Sequence, residues 1–199
     1  MEHYYSHNPT AQPNPGKIEY QIEGKHLSFL TDSGIFSREK VDFGSNLLIQ
    51  TLPHLIGKVL DMGCGYGPIG ISIACLCPET YVTMVDINVR AVALAQKNIL
   101  RNRITNAEIL LSDGFDNVEE SYNTIVCNPP IRAGKKVIYP IFEKSNQYLI
   151  PTGSLYIVIQ RKQGAPSAQE KIKEVYGNCE VITKDGGYWV LRSVKEKCL

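Results

Sequence analysis

The order of apolar and polar positions predicts short strands alternating with amphipathic helices through most of the chain. Short runs rich in Val and Ile precede longer segments with helical periodicity, an order typical of a parallel sheet covered by helices. Near the C-terminus, Asp185-Gly186-Gly187 separates two alternating segments and predicts an antiparallel hairpin. The predicted elements are a hairpin at 17–31, a helix capped by Ser45 with Leu47, Leu48, Leu52 and Leu55 on one face, a strand ending at Asp61, a helix at 68–77, a strand at 81–85, a helix at 89–103, strands at 108–111 and 124–127, a helix at 138–149, a strand at 154–159, a helix at 168–176, and strands at 179–183 and 188–194.

The first 32 residues differ in pattern from the rest. A polar lead-in with several prolines precedes the hairpin, and the alternation of strands and helices follows it. We predict a lead-in with a β-hairpin at 1–32 and a single α/β domain at 33–199. Because two strands alone are marginally stable, we expect the hairpin to pack on the edge of that domain.

Three consecutive predicted strands are each followed by an aspartate, at Asp61, Asp86 and Asp113. The carboxyl ends of parallel strands share one edge of the sheet, so the three carboxylates should converge on one cleft. Carboxylates attract ammonium, ribose hydroxyl and amino donors and repel phosphates. The trio therefore predicts a donor-rich ligand with a cationic end, although any one of the acids alone is explained as well by a helix cap or a turn.

A glycine-rich turn, with Gly63, Gly65 and Gly67, joins the first of these strands to the next helix. Glycines let a ligand approach the backbone closely, but they serve an ordinary strand-to-helix turn equally well. The dinucleotide fingerprint G-x-G-x-x-G would place its third glycine at position 68, where this chain has Pro68. This departure, together with the acid at Asp61, argues against a pyrophosphate ligand and an NAD-linked dehydrogenase.

Asn128-Pro129-Pro130 follows the fourth predicted strand, on the same edge as the acids. The prolines have no N–H and stiffen the segment, so the Asn128 side-chain carbonyl and the Pro129 backbone carbonyl can accept both protons of an –NH₂ group. Two fixed acceptors favour a pyramidal nitrogen and activate a conjugated amine as a nucleophile. The alternative, an Asn-Pro turn without a chemical role, is the commoner meaning of the dipeptide.

Composition restricts the class of protein further. With 43% apolar residues, 21% charged residues and a net charge of +1, the chain is typical of a soluble globular protein, so any RNA contact must come from a local basic patch. The sequence shows neither a signal peptide nor an apolar run long enough to span a membrane, and its six cysteines form no Cys-x-x-Cys pair. We expect a cytoplasmic protein without a metal site, and the oligomeric state is left open.

These motifs together resemble the class I S-adenosylmethionine-dependent methyltransferases. More narrowly, the chain is similar to the catalytic domain of the RsmC-type guanine-N2 rRNA methyltransferases and to their short YbxB-like relatives. The residues that carry the resemblance are Gly-Ile-Phe-Ser at 34–37, Asp-Phe-Gly-Ser at 42–45, the segment 60–70, Asp86, Ser-Asp-Gly at 112–114 and Asn-Pro-Pro-Ile at 128–131. The resemblance implies S-adenosylmethionine as the cofactor and a Rossmann-like sheet of seven strands, mostly parallel with the last antiparallel, with helices on both faces.

The resemblance also implies roles for individual residues. Asp61 would hold the amino group of the cofactor directly or through water, Asp86 its ribose and Asp113 its adenine amino group. The cofactor-binding residues it implies are Asp61, Gly63, Cys64, Gly65, Gly67, Asp86, Ile87, Asp113, Gly114 and Asn128, and the catalytic residues are Asn128, Pro129 and Pro130. For the RNA substrate, we predict contacts with Phe36, Ile131, Arg132, Lys135, Lys136, Arg161 and Lys162.

Two departures from the family bear on the substrate. An aromatic residue that stacks on a flipped base often follows Asn-Pro-Pro, but here the residue is Ile131, so stacking must come from elsewhere, with Phe36 and Arg161 as candidates. The longer RsmC proteins also carry an extra N-terminal domain, in whose place this chain has a lead-in and hairpin. We predict methylation of the exocyclic N2 amine of a guanine in small-subunit rRNA. The alternatives are methylation of a protein glutamine amide and a non-catalytic, cofactor-binding factor in ribosome assembly.

Overall fold

The computed structural model describes residues 14–33, 37 and 39–197. Two strands, β1 (Gly16–Ile22) and β2 (Lys25–Thr31), form an N-terminal hairpin that precedes a larger sheet covered by helices. The elements that follow are α1 (Phe43–Thr51), β3 (Gly57–Met62), α2 (Pro68–Leu76), β4 (Thr80–Asp86), α3 (Val89–Arg101), β5 (Ala107–Leu111), β6 (Tyr122–Cys127), α4 (Lys135–Tyr148), β7 (Leu149–Gln160), α5 (Ala165–Tyr176), β8 (Glu180–Asp185) and β9 (Tyr188–Val194). Short 3₁₀ turns at Ile131–Ala133 and Arg161–Gln163 precede α4 and α5.

The larger sheet has seven strands in the order β5-β4-β3-β6-β7-β9-β8. Neighbouring strands from β5 to β7 are parallel, and β9 runs antiparallel to both β7 and β8. The strand order reverses between β3 and β6, and the crevice at such a reversal is where ligands bind in open α/β sheets. The predicted fold class, a Rossmann-like methyltransferase fold with an antiparallel last strand and an N-terminal hairpin, is confirmed.

The apolar core lies on both faces of the sheet, because the central strands are buried on both sides. Along β7, Tyr156 and Val158 pack in the cluster formed by α1, α2, α3 and the hairpin. Their neighbours Leu155 and Ile157 pack with α4 and α5 on the other face. Within the described residues, no helix combines the length and the apolar character needed to cross a membrane.

The N-terminal hairpin packs on the helical layer and not on the edge of the large sheet. Its strand β2 presents its backbone to two asparagines one helical turn apart, Asn98 in α3 and Asn102 at the C-cap of that helix. Asn98 Oδ1 accepts from Leu30 N (2.7 Å) while Asn98 Nδ2 donates to Leu30 O (3.0 Å), and Asn102 makes the same pair of bonds to Ser28. The hairpin therefore packs on the main domain through α3, and the side-chain amides satisfy the strand's free backbone groups. The boundary proposed at residues 32 and 33 stays a prediction.

Some predicted boundaries were wrong for identifiable reasons. Helix α1 is capped by Asp42, whose carboxylate accepts from the N–H groups of Gly44 and Ser45, so Ser45 lies inside the helix. The helix ends at Thr51, and Leu55 is buried outside it. Helix α4 begins at Lys135, earlier than predicted, and continues through Pro140.

Two other elements are longer than predicted. Strand β7 extends back to Leu149 and pairs with β6 across an irregularity in register. Helix α5 begins at Ala165 with a proline in its first turn, where a missing N–H costs little.

Candidate active site

A cavity of ≈ 850 Å³ opens at the carboxyl ends of the central strands, a volume within the range of small-molecule sites. It lies at the strand-order reversal between β3 and β6. The predicted site residues in its wall are Gly63, Cys64, Gly65, Asp86, Ile87, Asp113, Gly114, Asn128, Pro129, Pro130, Ile131 and Arg132. The structure therefore brings most of the predicted cofactor residues and the Asn-Pro-Pro segment to one cavity.

Gly63 and Gly65 form a cradle at the floor of the cavity. Both have a positive φ, 73° and 59°, and a Cβ built on either would meet no atom of the described residues within 4 Å. Gly63 N and Cys64 N both donate to Val85 O at 2.9 Å, which fixes the turn between β3 and α2 against β4. A loop held this firmly, with open space where side chains would stand, suits a ligand that lies against bare backbone.

Asp86 sits at the end of β4 beside this cradle. Its Oδ2 accepts from Gly65 N and its Oδ1 from Asn88 N, both at 2.8 Å. Burial raises the pKa of Asp86, and the backbone N–H groups of Asn88 and Gly65 oppose that shift. Each carboxylate oxygen retains a further lone pair, so Asp86 can still accept a pair of hydroxyl protons from a ligand in the cavity.

Asp61 lies beneath the glycine loop and outside the cavity wall. It is completely buried, and its Oδ2 accepts from Gly70 N at 2.8 Å. Gly70 is in the first turn of α2, whose N-cap residue Gly67 has no side chain, so Asp61 satisfies a helix terminus from the preceding strand. Asp61 Oδ1 has no partner among the described residues. Burial, opposed by the Gly70 N–H and reinforced by Asp86, raises the pKa of Asp61 to about 7.

Gly67, predicted to contact the cofactor, lies where α2 begins. Gly67 is outside the cavity wall, and a Cβ there would lie 2.9 Å from Ile71 Cδ1. Gly67 is the N-cap residue of α2 and has a φ of 90°. Because it has no side chain, the helix can pack closely against Met84 of β4. Gly67 therefore serves close packing between helix and strand.

The third acid, Asp113, is exposed on the turn after β5 and lines the cavity. The buried Ser112 beside it shapes that turn. Its Oγ donates to Gly114 O (2.9 Å) and accepts from Asn117 N (3.0 Å), while Ser112 N donates to Asp86 O (3.0 Å). The carboxylates of Asp86 and Asp113 thus stand on two turns that are hydrogen-bonded to each other.

Asn128, at the end of β6, is held by residues distant in the chain. Its Nδ2 donates to Asp42 Oδ2 (2.8 Å) and to Ser45 Oγ (3.0 Å), so both amide protons have acceptors. A carboxylate has no proton to donate, so the NH₂ end of the amide must face Asp42. The carbonyl Oδ1 is thereby left as the acceptor that Asn128 offers to a ligand.

The two prolines after Asn128 form an inverse γ-turn. Pro130 has φ −74° and ψ 77°, and Ile131 N donates to Pro129 O at 2.8 Å. The Pro129 carbonyl is therefore shared, and one of its two lone pairs remains for a substrate amine. Ile131 half-buries its side chain against the core and also lines the cavity.

Tyr188, at the start of β9, is an aromatic residue of the cavity wall that sequence reasoning missed. Its ring lies 5.5 Å from that of Phe43, centroid to centroid, and so close to Gly44 that a Cβ there would be 2.9 Å from Tyr188 Cε1. Burial, and after it the carboxylate of Asp42, raises the pKa of Tyr188. Tyr188 directly follows the hairpin turn Gly186-Gly187, and this position is the sequence feature that could have indicated a residue near the strand ends.

The predicted substrate-binding residues divide into three groups. Ile131 and Arg132 line the cavity. Four basic residues stand outside its wall but are exposed on segments that adjoin it: Lys135 and Lys136 in the first turn of α4, and Arg161 and Lys162 in the 3₁₀ turn after β7. Phe36 lies outside the described residues.

Comparison with known proteins agrees with this geometry. The sequence profile of the methyltransferase small domain matches residues 26–192, which is most of the chain. The chain belongs to the methyltransferase small domain family. The match begins within the N-terminal hairpin and ends in β9, so it includes both the glycine loop and the Asn-Pro-Pro segment.

Relatives and solved structures narrow the relationship. The protein YbxB of Bacillus subtilis is 46% identical over 198 residues, which are 98% of each chain. Ribosomal RNA small subunit methyltransferase C of Aliivibrio fischeri is 34% identical over 94% of this chain but 56% of its own length. A T. thermophilus 16S rRNA N2 methyltransferase, RsmC, solved in complex with AdoMet and guanosine, matches 94% of this chain and 52% of that chain, with 26% identity and a TM-score of 0.82. The chain spans about half the length of these RsmC proteins.

Proposed function

We propose that this methyltransferase transfers a methyl group from S-adenosylmethionine to the exocyclic N2 amine of a guanine in small-subunit rRNA. The single observation that carries the proposal is the orientation of Asn128. Its amide protons are bound by Asp42 and Ser45. Its carbonyl is thereby presented to the cavity whose wall includes the glycine loop, Asp86 and Asp113. The RsmC proteins named above act on 16S or small-subunit rRNA, which supports RNA as the substrate.

The residues on the cofactor side fit S-adenosylmethionine. The bare backbone at Gly63 and Gly65 leaves room for its methionine part, and Asp86 accepts its ribose hydroxyls. Asp113 accepts from the adenine amino group, and the buried Asp61 favours the ammonium end from beneath the loop, through its unpartnered Oδ1. Carboxylates on this side exclude phosphates, so the nucleotide part of the ligand must be a nucleoside.

Asn128 and Pro129 prepare the acceptor. Asn128 Oδ1 and the remaining lone pair of the Pro129 carbonyl accept the two protons of the guanine amine, which favours a pyramidal nitrogen with its lone pair directed away from them. When bound, S-adenosylmethionine supplies a methyl group on a sulfonium sulfur, and its transfer to the amine leaves the C–S bonding electrons on sulfur and releases one proton. The two acceptors stabilise the positive charge that develops on the nitrogen before that proton leaves.

The base and its RNA meet the acceptor side of the cavity. Tyr188 supplies the aromatic surface against which the flipped guanine lies, since Ile131 offers none. Lys135, Lys136, Arg161 and Lys162 are exposed around it and contact phosphates. The lysines in the first turn of α4 add to the positive end of the helix dipole, which costs stability but attracts an anion.

The proposal is tested by transfer of tritium from labelled S-adenosylmethionine to rRNA and to ribosomal subunits prepared from a strain lacking the protein. We expect label that nuclease releases and protease does not, recovered as N2-methylguanine after hydrolysis. Label released by protease would instead establish a protein amide as the acceptor. Binding of S-adenosylhomocysteine without transfer to any RNA would contradict the proposal and favour a non-catalytic assembly factor.

A further inference from the structure

Asp42 and Ser45 form hydrogen bonds with Asn128 from a distant part of the chain. They lie 86 and 83 residues from Asn128, on the first turn of α1, and their acceptors face its Nδ2 at 2.8 and 3.0 Å. Neither residue was assigned a role in the chemistry from the sequence. The two bonds use both protons of the amide.

The carboxylate of Asp42 performs two tasks at once. Its Oδ1 accepts from Gly44 N (3.0 Å), and its Oδ2 accepts from Ser45 N (2.8 Å) and from Asn128 Nδ2. Capping alone would be served equally by an asparagine, which is as good an N-cap as aspartate. A single oxygen, Oδ2, already serves both Ser45 N and Asn128 Nδ2, so Gly44 N needs the second oxygen. An asparagine would place its NH₂ group against Gly44 N and could not make all three bonds, so the full set selects a carboxylate.

We propose that Asp42 and Ser45 are positioning residues that hold the Asn128 amide with its carbonyl toward the acceptor amine and polarise it. The inference rests on the proposed methyl transfer. A hydrogen bond to a charged acceptor is stronger than a neutral one, and donation from the NH₂ end increases the negative charge on Oδ1 of the same amide. That oxygen is the atom that stabilises the amine as it becomes positive. Rotation of the amide by 180° would instead present a donor to the amine and repel its protons.

The test is the Asp42→Asn variant, compared with wild type, Ser45→Ala and Asp185→Asn. Asp185→Asn removes the same charge from an exposed carboxylate that accepts from Gly186 N in the hairpin turn, so it controls for charge alone. We expect Asp42→Asn to lower kcat about tenfold with KM for rRNA, affinity for S-adenosylhomocysteine and Tm nearly unchanged. Ser45→Ala should lower kcat about threefold, and Asp185→Asn should match wild type.

A double-mutant cycle separates positioning from a general structural effect. In the Asn128→Ala background, Asp42→Asn should cause no further loss of kcat, because the amide that it orients is absent. An equal loss of kcat in both backgrounds, or an unchanged kcat in the single variant, would overturn the inference.

A readout without substrate keeps this inference distinct from the proposed function. In ¹⁵N-labelled protein, we expect the side-chain NH₂ protons of Asn128 to exchange slowly and to exchange faster in Asp42→Asn, whereas those of Asn178 should not change. Asn178 is a suitable reference because its Nδ2 donates to Tyr176 O and Val194 O, away from the cavity. If wild type transferred no methyl group to RNA, the proposed function would fail, and unchanged exchange at Asn128 would overturn the inference separately.

Discussion

The two sides of the cavity are built in opposite ways. The cofactor side, from β3 to β5, follows the order of the chain, and its polar residues come from the end of a strand or from the turn after it. The acceptor side joins the start of α1, the end of β6 and the start of β9, so that Asp42, Asn128 and Tyr188 meet from distant parts of the chain. A side built from local units can be altered one turn at a time. A side built from long-range contacts couples its residues, and a change at one of them affects the others.

The largest expected effect separates the two sides outright. Asn128→Ala should lower kcat by about 100-fold or more, in the range found when one preorganised charge-stabilising group is removed, and should leave S-adenosylhomocysteine affinity within about threefold of wild type. Single-turnover methylation and calorimetry measure the two quantities. Asn123→Ala is the matched control, since Asn123 lies near the opposite end of the same strand and its side chain accepts from Lys58 N. Comparable losses of cofactor affinity and of rate would show that the two sides are not separable.

The next effect concerns the cofactor side alone. Gly65→Ala places a methyl group in the space above the cradle and should weaken S-adenosylhomocysteine binding by about tenfold or more. Gly24→Ala controls for backbone strain, because Gly24 also has a positive φ (74°) and open space at its Cβ position with respect to the described residues, but lies in the N-terminal hairpin turn. Both variants should lose about 1–2 kcal/mol of stability. Equal affinity in the two variants would contradict a ligand at the cradle.

A smaller effect is expected at the aromatic wall. Tyr188→Leu should lower kcat/KM for rRNA by about five- to tenfold, because stacking of one base on an aromatic ring contributes about 1–3 kcal/mol. Tyr188→Phe should retain most of the activity, since it keeps the ring and its contact with Phe43. Steady-state kinetics with rRNA, together with calorimetry on S-adenosylhomocysteine, would check this. A loss in the phenylalanine variant as large as in the leucine variant would assign the role to the hydroxyl group and not to stacking.

The smallest expected effect is a pH dependence that belongs to the cofactor side. The carboxyl of Asp61 has its pKa raised to about 7 by burial, so the free protein holds a proton there below pH 7. A cationic ligand group favours the ionised form, and binding must then release that proton. Affinity for S-adenosylhomocysteine should therefore fall about threefold from pH 7.5 to pH 6.5. Calorimetry should find that the affinity of the Asp61→Asn variant for S-adenosylhomocysteine does not change across this pH range.

The raised pKa of Asp61 also affects the stability of the free protein. An acid with a raised folded-state pKa destabilises the free protein progressively as pH rises from the unfolded value of 3.8 toward 7. Asp61→Asn removes this destabilisation and keeps an oxygen that can accept from Gly70 N. The variant should therefore have a higher Tm than wild type at pH 8 and a smaller difference at pH 4. The same Tm difference at both pH values would contradict the raised pKa.

The contrast between the two sides also explains what the sequence could predict. The strand order, the convergence of strand ends and the glycine cradle follow from local patterns, because each strand–turn–helix unit carries its own residues. The bond from Gly70 N to Asp61 was not foreseen, because the missing side-chain cap of α2 becomes visible only when Gly67 is known to be its N-cap. The role of Asp42 was missed because its partner Asn128 lies 86 residues away in the chain. Tyr188 was missed because it reaches the cavity from beyond a hairpin turn, and no spacing within the sequence encodes either contact.

The asparagine clamp on the N-terminal hairpin has a consequence for synthesis on the ribosome. Strand β2 emerges early, but the side chains that satisfy its backbone, Asn98 and Asn102, are translated 68 and 74 residues after their partners. At about 5–20 residues per second, the nascent hairpin waits several seconds or more with an open edge. Asn98 also donates to Tyr66 O in the glycine loop, so this one side chain joins the hairpin to the glycine loop once it has been made. Slower translation before codon 102 should therefore extend the period in which the nascent chain is open to chaperones and to aggregation.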